Sequence, residues 1–194
     1  MSYCKYSIGH PLHGPYHGRE YGFPIRGDEA LFERLALEIN QAGLSWLTML
    51  QKREGFRRAF RGFEPGAVAR FDAGKQRQLL RDPRIVRNRA KIRAVVENAR
   101  RVEAIRESHG SFAKWLDAHH PRSLKRWEEL FRREFVFTGG KIVRAFLMST
   151  GYLRGAHAPS CPIYARVAKK KPAWMRKRRP SPRPSPRTRG EGEN

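Results

Sequence analysis

The stretch DEALFERLALEINQAGLSWLTMLQKRE, residues 28–54, decides the fold class because it describes two helices joined by a tight turn. Asp28 is a typical helix N-cap, and the apolar residues after it recur with helical spacing to about Gln41. Gly43 breaks the helical pattern, and Ser45 is a residue type that caps a following helix. The stretch therefore predicts a helix, a turn and a second helix.

The sequence on either side continues the helical pattern. Residues 88–108 predict a long helix, and residues 82–86 before it predict a short hairpin. The buried face of the long helix is predicted to carry Ile92, Val95, Val96, Ala99, Val102 and Ile105. Residues 1–27 predict an ordered loop segment, and residues 138–140 open the last predicted helix. Since convincing strand alternation is absent, we expect an all-α fold of about seven or eight helices.

The charge of the chain is strongly one-sided. Its 194 residues carry a formal net charge of +23, of which residues 169–194, with ten Lys or Arg and two Glu, hold +8. The other +15 lies on residues 1–168, which we expect to form one helical domain, whereas the Pro/Ser/Arg-rich residues 169–194 predict a disordered tail. This charge favours a polyanionic partner, most simply nucleic acid, over an ordinary solvated surface.

Neither a membrane span nor a signal peptide is evident in the sequence. No run approaches the ~18 apolar residues of a transmembrane helix, and no charged-then-apolar segment opens the chain. We therefore expect a cytoplasmic protein that does not bind membranes, and we expect it to be a monomer. In the cytosol, thiols are more often metal ligands than disulfide partners.

Each of the two cysteines has a histidine near it. Cys4 is followed by His17, and His157 lies four positions before Cys161, the spacing of adjacent turns on one helix face. A disulfide would need neither histidine, whereas a tetrahedral Cys2His2 zinc site would use all four residues and tie the N-terminus to the C-terminal region. From spacing alone, zinc binding and coincidence both stay open, because about 140 residues separate the two pairs.

Glu38 lies on an apolar stripe of the first predicted helix, together with Leu31, Leu35 and Ala42. Burying an unpaired carboxylate is costly. Glu38 is therefore either half of a buried salt bridge or a group that faces a cationic or hydrogen-bonding ligand.

Three further residues have both a structural and a functional interpretation. Tyr16 and Trp46 are either core aromatics or rings that stack on a flipped base while Glu38 contacts the base edge. Leu44, in the turn between the two helices, is either a hydrophobic staple or a wedge that intercalates into DNA.

Residues 81–91, RDPRIVRNRAK, combine a tight turn with cationic side chains. A hairpin followed by a helix N-terminus suits contact with DNA phosphates. The candidate contacts are Arg84, Arg87, Arg89 and Lys91, and the last three are equally consistent with solvated surface charges.

Together these segments resemble the DNA-3-methyladenine glycosylase I family, zinc-containing relatives of the helix-hairpin-helix base-excision glycosylases. The resemblance covers about residues 3–164, and its blocks occur in the family's order and at family-like spacing. The blocks are YHGREYG at 16–22, LEINQAGLSWLTMLQKRE at 37–54, DPRIVRNRAKI at 82–92, FVFTGGKIVRAFLMSTG at 135–151 and HAPSC at 157–161.

The resemblance implies a helix-hairpin-helix glycosylase-like helical fold that holds one structural zinc per chain. The implied zinc ligands are Cys4, His17, His157 and Cys161. The implied activity is hydrolysis of the N-glycosidic bond of 3-methyladenine in double-stranded alkylated DNA after base flipping.

The resemblance also assigns roles at the implied base site. Tyr16, Glu38 and Trp46 would line the 3-methyladenine pocket, and Leu44 would lie near the wedge that opens DNA. Glu38 is the candidate catalytic residue, interpreted as a group that recognises the cationic base rather than as a general base. Related glycosylases employ an aspartate near the sugar, and the sequence identifies no equivalent.

Several positions depart from the family pattern. Gly18 and Tyr21 replace an acidic residue and a tryptophan, and Tyr6 stands where tryptophan is frequent, so we include Tyr6 and Tyr21 among the candidate base-binding residues. Arg84 occupies a hairpin position that is commonly glycine, and the Ser/Thr-rich stretch before residue 135 is much shorter. The alternative function is therefore a noncatalytic, zinc-stabilised DNA-binding protein of the same fold.

Overall fold

The computed structural model describes residues 3–176, and within them every regular element is helical, as predicted. The α-helices are α1 Tyr3–Ser7, α2 His13–Arg19, α3 Asp28–Gln41, α4 Trp46–Ala59, α5 Pro65–Ala69, α6 Ala73–Leu79, α7 Arg89–His109, α8 Phe112–His119, α9 Leu124–Glu134, α10 Gly140–Ser149 and α11 Pro162–Lys169. Short 3-10 helices span Arg61–Phe63 and Ala173–Met175. The described chain thus has more helices than expected, because both ends of the domain also fold into helical turns.

Helix α3 is the centre of the domain because it is covered on all sides. Every residue from Leu31 to Asn40 is buried, and the helix packs against α4, α7, α8 and α10. Helix α7 packs against α3, α5 and α8, and all six residues of its predicted apolar stripe are buried. As a result, a polar side chain in the second half of α3 lies inside the molecule.

Side-chain caps fix most helix starts. Ser45 and Asn88 each accept a backbone N–H of the helix that follows, as Asp72, Ser111 and Ser123 do for theirs. The predicted cap Asp28 is an exception, because Gly27 occupies the N-cap of α3. The Asp28 carboxylate instead accepts the backbone N–H of Phe112 at 2.8 Å and so holds the start of α8.

Two segments differ from the sequence prediction. Residues 1–27 were predicted to be a loop, yet they contain α1 and α2. His157 and Cys161 do not share a helix face, because His157 lies in a loop and Cys161 is the N-cap of α11.

The described residues after residue 168 pack against the helical domain. Ala173 is buried, the backbone N–H of Trp174 donates to the carbonyl of Gly151 at 3.3 Å, and Arg176 pairs with Asp117 at 2.9 Å. Residues 177–194 lie outside the described residues, so the disordered tail stays a prediction. None of the described helices is long and apolar enough to cross a membrane.

Candidate functional site

A cavity of about 170 Å³ lies beside the second half of α3. It is lined by Tyr3, Tyr16, Tyr21, Glu38, Gln41, Trp46 and Ala145. A wider recess of about 480 Å³ shares Glu38, Gln41 and Ala145 with it and extends over Leu44 and residues 139–142. The fold therefore brings four predicted base-site residues together and places Leu44, which is 43% exposed, along the approach to them.

Aromatic rings form one wall of the cavity. The ring centroids of Tyr16 and Trp46 are 5.2 Å apart, and those of Tyr16 and Tyr21 are 5.7 Å apart. Tyr16 belongs to α2 and Trp46 is the first residue of α4, so the α3–α4 turn brings the second ring toward the first. This wall offers π faces to a flat ligand.

The structure places Tyr6 outside the cavity. Tyr6 is 47% exposed and its ring packs against His10 and His13. Tyr3, one turn earlier on α1, lines the cavity instead, and its ring meets Tyr21 with centroids 5.2 Å apart. Sequence reasoning missed Tyr3 because the rotation of so short a helix has no periodic signal.

Glu38 is the acidic group of the cavity. It is buried, and burial raises its pKa from 4.5 to about 7, although Arg34 and a hydrogen bond from Ser149 act in the opposite direction. Among residues 3–176 no cationic side chain forms a salt bridge with Glu38. The salt-bridge interpretation therefore finds no support, and the carboxyl group faces the cavity that it lines.

Arg34, which sequence reasoning missed, lies beneath this wall. It is buried one turn before Glu38, and its guanidinium donates to the Tyr16 hydroxyl oxygen at 2.6 Å and to the Glu20 carboxylate at 3.2 Å. Burial raises the pKa of Tyr16 well above its ordinary value, so Tyr16 keeps its proton. Since Arg34 occupies an acceptor position of that hydroxyl, the Tyr16 proton is free to point toward another acceptor.

The four predicted metal ligands meet in one buried cluster. Their donor atoms all lie within 4.8 Å of one another. His157 Nδ1 is 3.1 Å from His17 Nε2, 3.7 Å from Cys161 Sγ and 4.0 Å from Cys4 Sγ. A tetrahedral zinc with ordinary Zn–N and Zn–S bonds separates its donors by ~3.3–3.8 Å, so the cluster has suitable atoms at suitable spacing for a metal ion.

The surroundings of the cluster favour metal binding and connect it to the cavity. The other ring nitrogen of His157, Nε2, donates to the backbone carbonyl of Tyr21 at 2.7 Å, which leaves Nδ1 free for a metal. Burial lowers the pKa values of His17 and His157 and so favours neutral imidazoles. Two residues of the cavity wall are therefore attached directly to the cluster: Tyr16 adjoins His17 on α2, and the Tyr21 carbonyl accepts the hydrogen bond from His157.

The hairpin before α7 presents some of its predicted cations and uses others internally. Arg87 and Arg89 are exposed beside the α7 N-terminus. Arg84 pairs with the Asp82 carboxylate through Nε at 2.9 Å and Nη2 at 2.8 Å, and its φ is not positive, so the hairpin does not require glycine there. A Cβ on Gly55 would lie 2.6 Å from the Arg84 carbonyl oxygen, which shows how closely the hairpin approaches α4.

Lys91 has a different role from the predicted DNA contact. It is buried, and its ammonium donates to the backbone carbonyls of Asn40 and Ala42. These carbonyls end α3 and need a donor, so Lys91 satisfies the helix terminus and ties α7 to the turn that carries Leu44. The side chain is therefore not free to bind a phosphate.

The chain is similar to proteins of one family. The family model described as methyladenine glycosylase matches residues 7–128. The chain is 32% identical over 183 residues to DNA-3-methyladenine glycosylase 1 of Escherichia coli (strain K12), covering 84% of this chain and 97% of that protein. It is 34% identical over 178 residues to DNA-3-methyladenine glycosylase of Haemophilus influenzae, covering 82% of this chain and 96% of that protein.

Solved structures of similar sequence have the same fold. A variant of 3-methyladenine DNA glycosylase I in complex with 3-methyladenine superposes with a TM-score of 0.75 at 32% identity, covering 84% of this chain and 97% of that chain. The 3-methyladenine DNA glycosylase I of Staphylococcus aureus gives a TM-score of 0.74 at 34% identity, covering 84% and 96%.

Proposed function

Because this chain belongs to the methyladenine glycosylase family, we propose that it excises 3-methyladenine from alkylated double-stranded DNA by hydrolysing the N-glycosidic bond of a flipped nucleotide. The single observation that carries this function is the aromatic cavity with a buried carboxyl group on its floor. The family match favours this enzyme over the noncatalytic DNA-binding alternative.

The chemistry of the lesion explains what the cavity needs. Alkylation at N3 makes adenine cationic and a good leaving group, so the enzyme need not protonate a neutral base strongly. It must extract the nucleotide, hold the cationic purine and admit water to the sugar C1′. The faces of Tyr16 and Trp46 attract a cation, and an ionised Glu38 attracts it more strongly.

A cationic base favours the ionised form of Glu38, and the ionised carboxylate in turn attracts the base. With a pKa of about 7 in the free protein, Glu38 is readily neutralised, and a cation placed next to it would lower that pKa again. The carboxylate thus binds the methylated cation better than neutral adenine. We assign Glu38 to base recognition, and we assign no side chain as a general base.

The wider recess provides room for the rest of the nucleotide. It continues from Glu38 and Gln41 past Leu44 to residues 139–142, so a base in the cavity would have its sugar in the recess. We propose that Leu44 enters the space that the flipped nucleotide leaves in the duplex. Arg87 and Arg89 would then contact phosphates from the hairpin side.

We infer that the Cys/His cluster binds one zinc ion through Cys4, His17, His157 and Cys161. Four protein ligands leave no open coordination position, so the metal would supply structure rather than Lewis-acid chemistry. Its effect on activity would pass through Tyr16 and Tyr21, which are attached to the ligand histidines. The monomeric state and the cytoplasmic location stay predictions.

The proposed function is tested by single-turnover release of free bases from methylated duplex DNA. We expect 3-methyladenine among the released bases from the wild-type protein. Glu38→Gln should release it more slowly, and Glu29→Gln, an exposed change on the same helix, should behave like wild type. Folded wild-type protein that binds the duplex and releases no base would establish the noncatalytic alternative.

A further inference from the structure

Phe137 is an exposed aromatic residue in a backbone conformation that favours glycine. Its side chain is 44% exposed and its φ is 60°. A bulky residue is an outlier in the left-handed region, and strain of this kind persists only where the surrounding structure imposes it. Neither core packing nor backbone preference therefore accounts for phenylalanine at this position.

The turn that carries Phe137 is held on both sides. The buried Asn98 side chain accepts the backbone N–H of Val136 at 2.8 Å and donates to the Val136 carbonyl at 3.0 Å. On the other side, the Thr138 hydroxyl donates to the carbonyl of Phe131 at 3.0 Å. The Phe137 ring is thus presented from a rigid backbone rather than from a mobile loop.

The ring borders a basic groove of about 750 Å³ against the first turns of α7. The groove is lined by Arg89, Ala90, Arg93, Ala94, Glu97, Arg101, Val136 and Phe137. Arg101 pairs with Glu97 at 3.2 Å, whereas Arg89 and Arg93 are exposed and form no salt bridge within residues 3–176. The groove therefore combines an apolar surface with uncompensated positive charge.

The groove lies next to the path proposed for the flipped nucleotide. Gly139, two residues after Phe137, lines the recess that also contains Leu44. Arg89 opens α7 directly after the hairpin, and Lys91 ties that end of α7 to the Leu44 turn. The turn that carries Phe137 therefore leads, through Gly139, into the recess that Leu44 also lines.

We propose that Phe137 is a second DNA-stacking residue, which stacks on a base left without a neighbour when the lesion is extruded, while Arg89 and Arg93 bind the flanking phosphates. This inference rests on the proposed function, because only an opened duplex offers an unstacked base. The charge of the groove matches the DNA backbone, and an aromatic ring stacks on any of the four bases.

The test uses Phe137→Gly, a change that suits a positive φ and removes the aromatic side chain. We expect an unchanged or higher melting temperature, and binding to a duplex with a stable abasic-site analogue weakened about 5- to 150-fold, the range of one base–aromatic stack. Binding to the intact duplex should hardly change, because every base there keeps its neighbours. Phe137→Trp should keep the tight binding.

Two controls separate this inference from the proposed function. Arg93→Gln should weaken binding to both duplexes alike and reduce the slope of log K against log salt by about 1. If wild-type protein releases 3-methyladenine while Phe137→Gly binds both duplexes as wild type does, the stacking role is wrong and the glycosylase function stands. Equal weakening on the intact and abasic duplexes would also overturn it, since that pattern indicates general surface contact or a site for another partner.

Discussion

Replacing Glu38 by glutamine should separate a ligand-binding carboxylate from a structural one by its effect on pH-dependent stability. Burial raises the pKa of Glu38 from 4.5 to about 7, and one pKa unit corresponds to 1.36 kcal/mol. Ionising Glu38 in the folded, ligand-free protein therefore costs roughly 3 kcal/mol relative to the unfolded chain. Between pH 4.5 and about 7 the folded state binds more protons than the unfolded state, so stability falls as the pH rises through this window.

The glutamine variant lacks this ionisation and should escape the loss. At pH 8 we expect Glu38→Gln to be more stable than wild type by up to roughly 3 kcal/mol, or ~6–12 °C in melting temperature for a chain of this size. Near pH 4.5 the two proteins should melt within a few degrees of each other. The difference between variant and wild type, followed across pH, cancels the titration of all other groups.

The same samples should show the opposite effect on catalysis. The amide keeps the size of the side chain and loses the negative charge. The activation free energy of single-turnover 3-methyladenine release at pH 8 should therefore rise by ~1–3 kcal/mol, the strength of a charge-assisted hydrogen bond. Glu29→Gln serves as the matched control in both measurements. A buried structural ion pair would give the opposite result: Glu38→Gln would melt below wild type at pH 8 and would lose activity only in proportion to its unfolded fraction.

Four further outcomes are expected. Trp46→Ala should raise the activation free energy of base release by ~1–3 kcal/mol in single-turnover assays corrected for the folded fraction, since it removes one stacking face. Elemental analysis of protein purified without chelators should find one zinc per chain, and Cys161→Ala should lose the metal and melt at a lower temperature. Lys91→Met should lower the free energy of unfolding in urea by ~1–3 kcal/mol, because it leaves the carbonyls at the end of α3 without their donor. Deleting residues 177–194, which contain six Lys or Arg, should flatten the salt dependence of DNA binding in titrations and leave 3-methyladenine release intact; loss of release would show that this segment takes part in the reaction.

Local sequence patterns predicted the helices well, because caps, turn glycines and apolar periodicity act on residues that are close to them in the sequence. Ser45 and Asn88 cap the helices that follow them, and the turn glycine Gly43 has a φ of 79°. The apolar stripe of the long helix is buried, and the stripe of α3 places Glu38 inside the molecule. Periodicity therefore indicated both the fold class and the central residue of the site.

The sequence predictions were wrong where a side chain contacts residues far away in the sequence. Asp28 resembles a cap in sequence, yet its carboxylate binds the backbone of Phe112 across the domain. Lys91 resembles a surface cation, yet it closes the end of another helix. The spacing of His157 and Cys161 fits a helix, although His157 lies in a loop that brings it to Cys161. None of these partners is close enough in sequence for spacing to reveal it.

The attachment of the cavity wall to the Cys/His cluster sets an order of events during synthesis. Tyr16 and Tyr21 emerge early from the ribosome with two of the implied ligands, Cys4 and His17, whereas His157 and Cys161 emerge only near the end. A nascent chain that stops short of residue 157 carries every aromatic residue of the cavity and lacks the groups that hold that wall in place. If the cluster binds zinc as proposed, we expect the proposed base pocket to be completed last, and metal supply at that moment to govern how many finished chains can bind a flipped base.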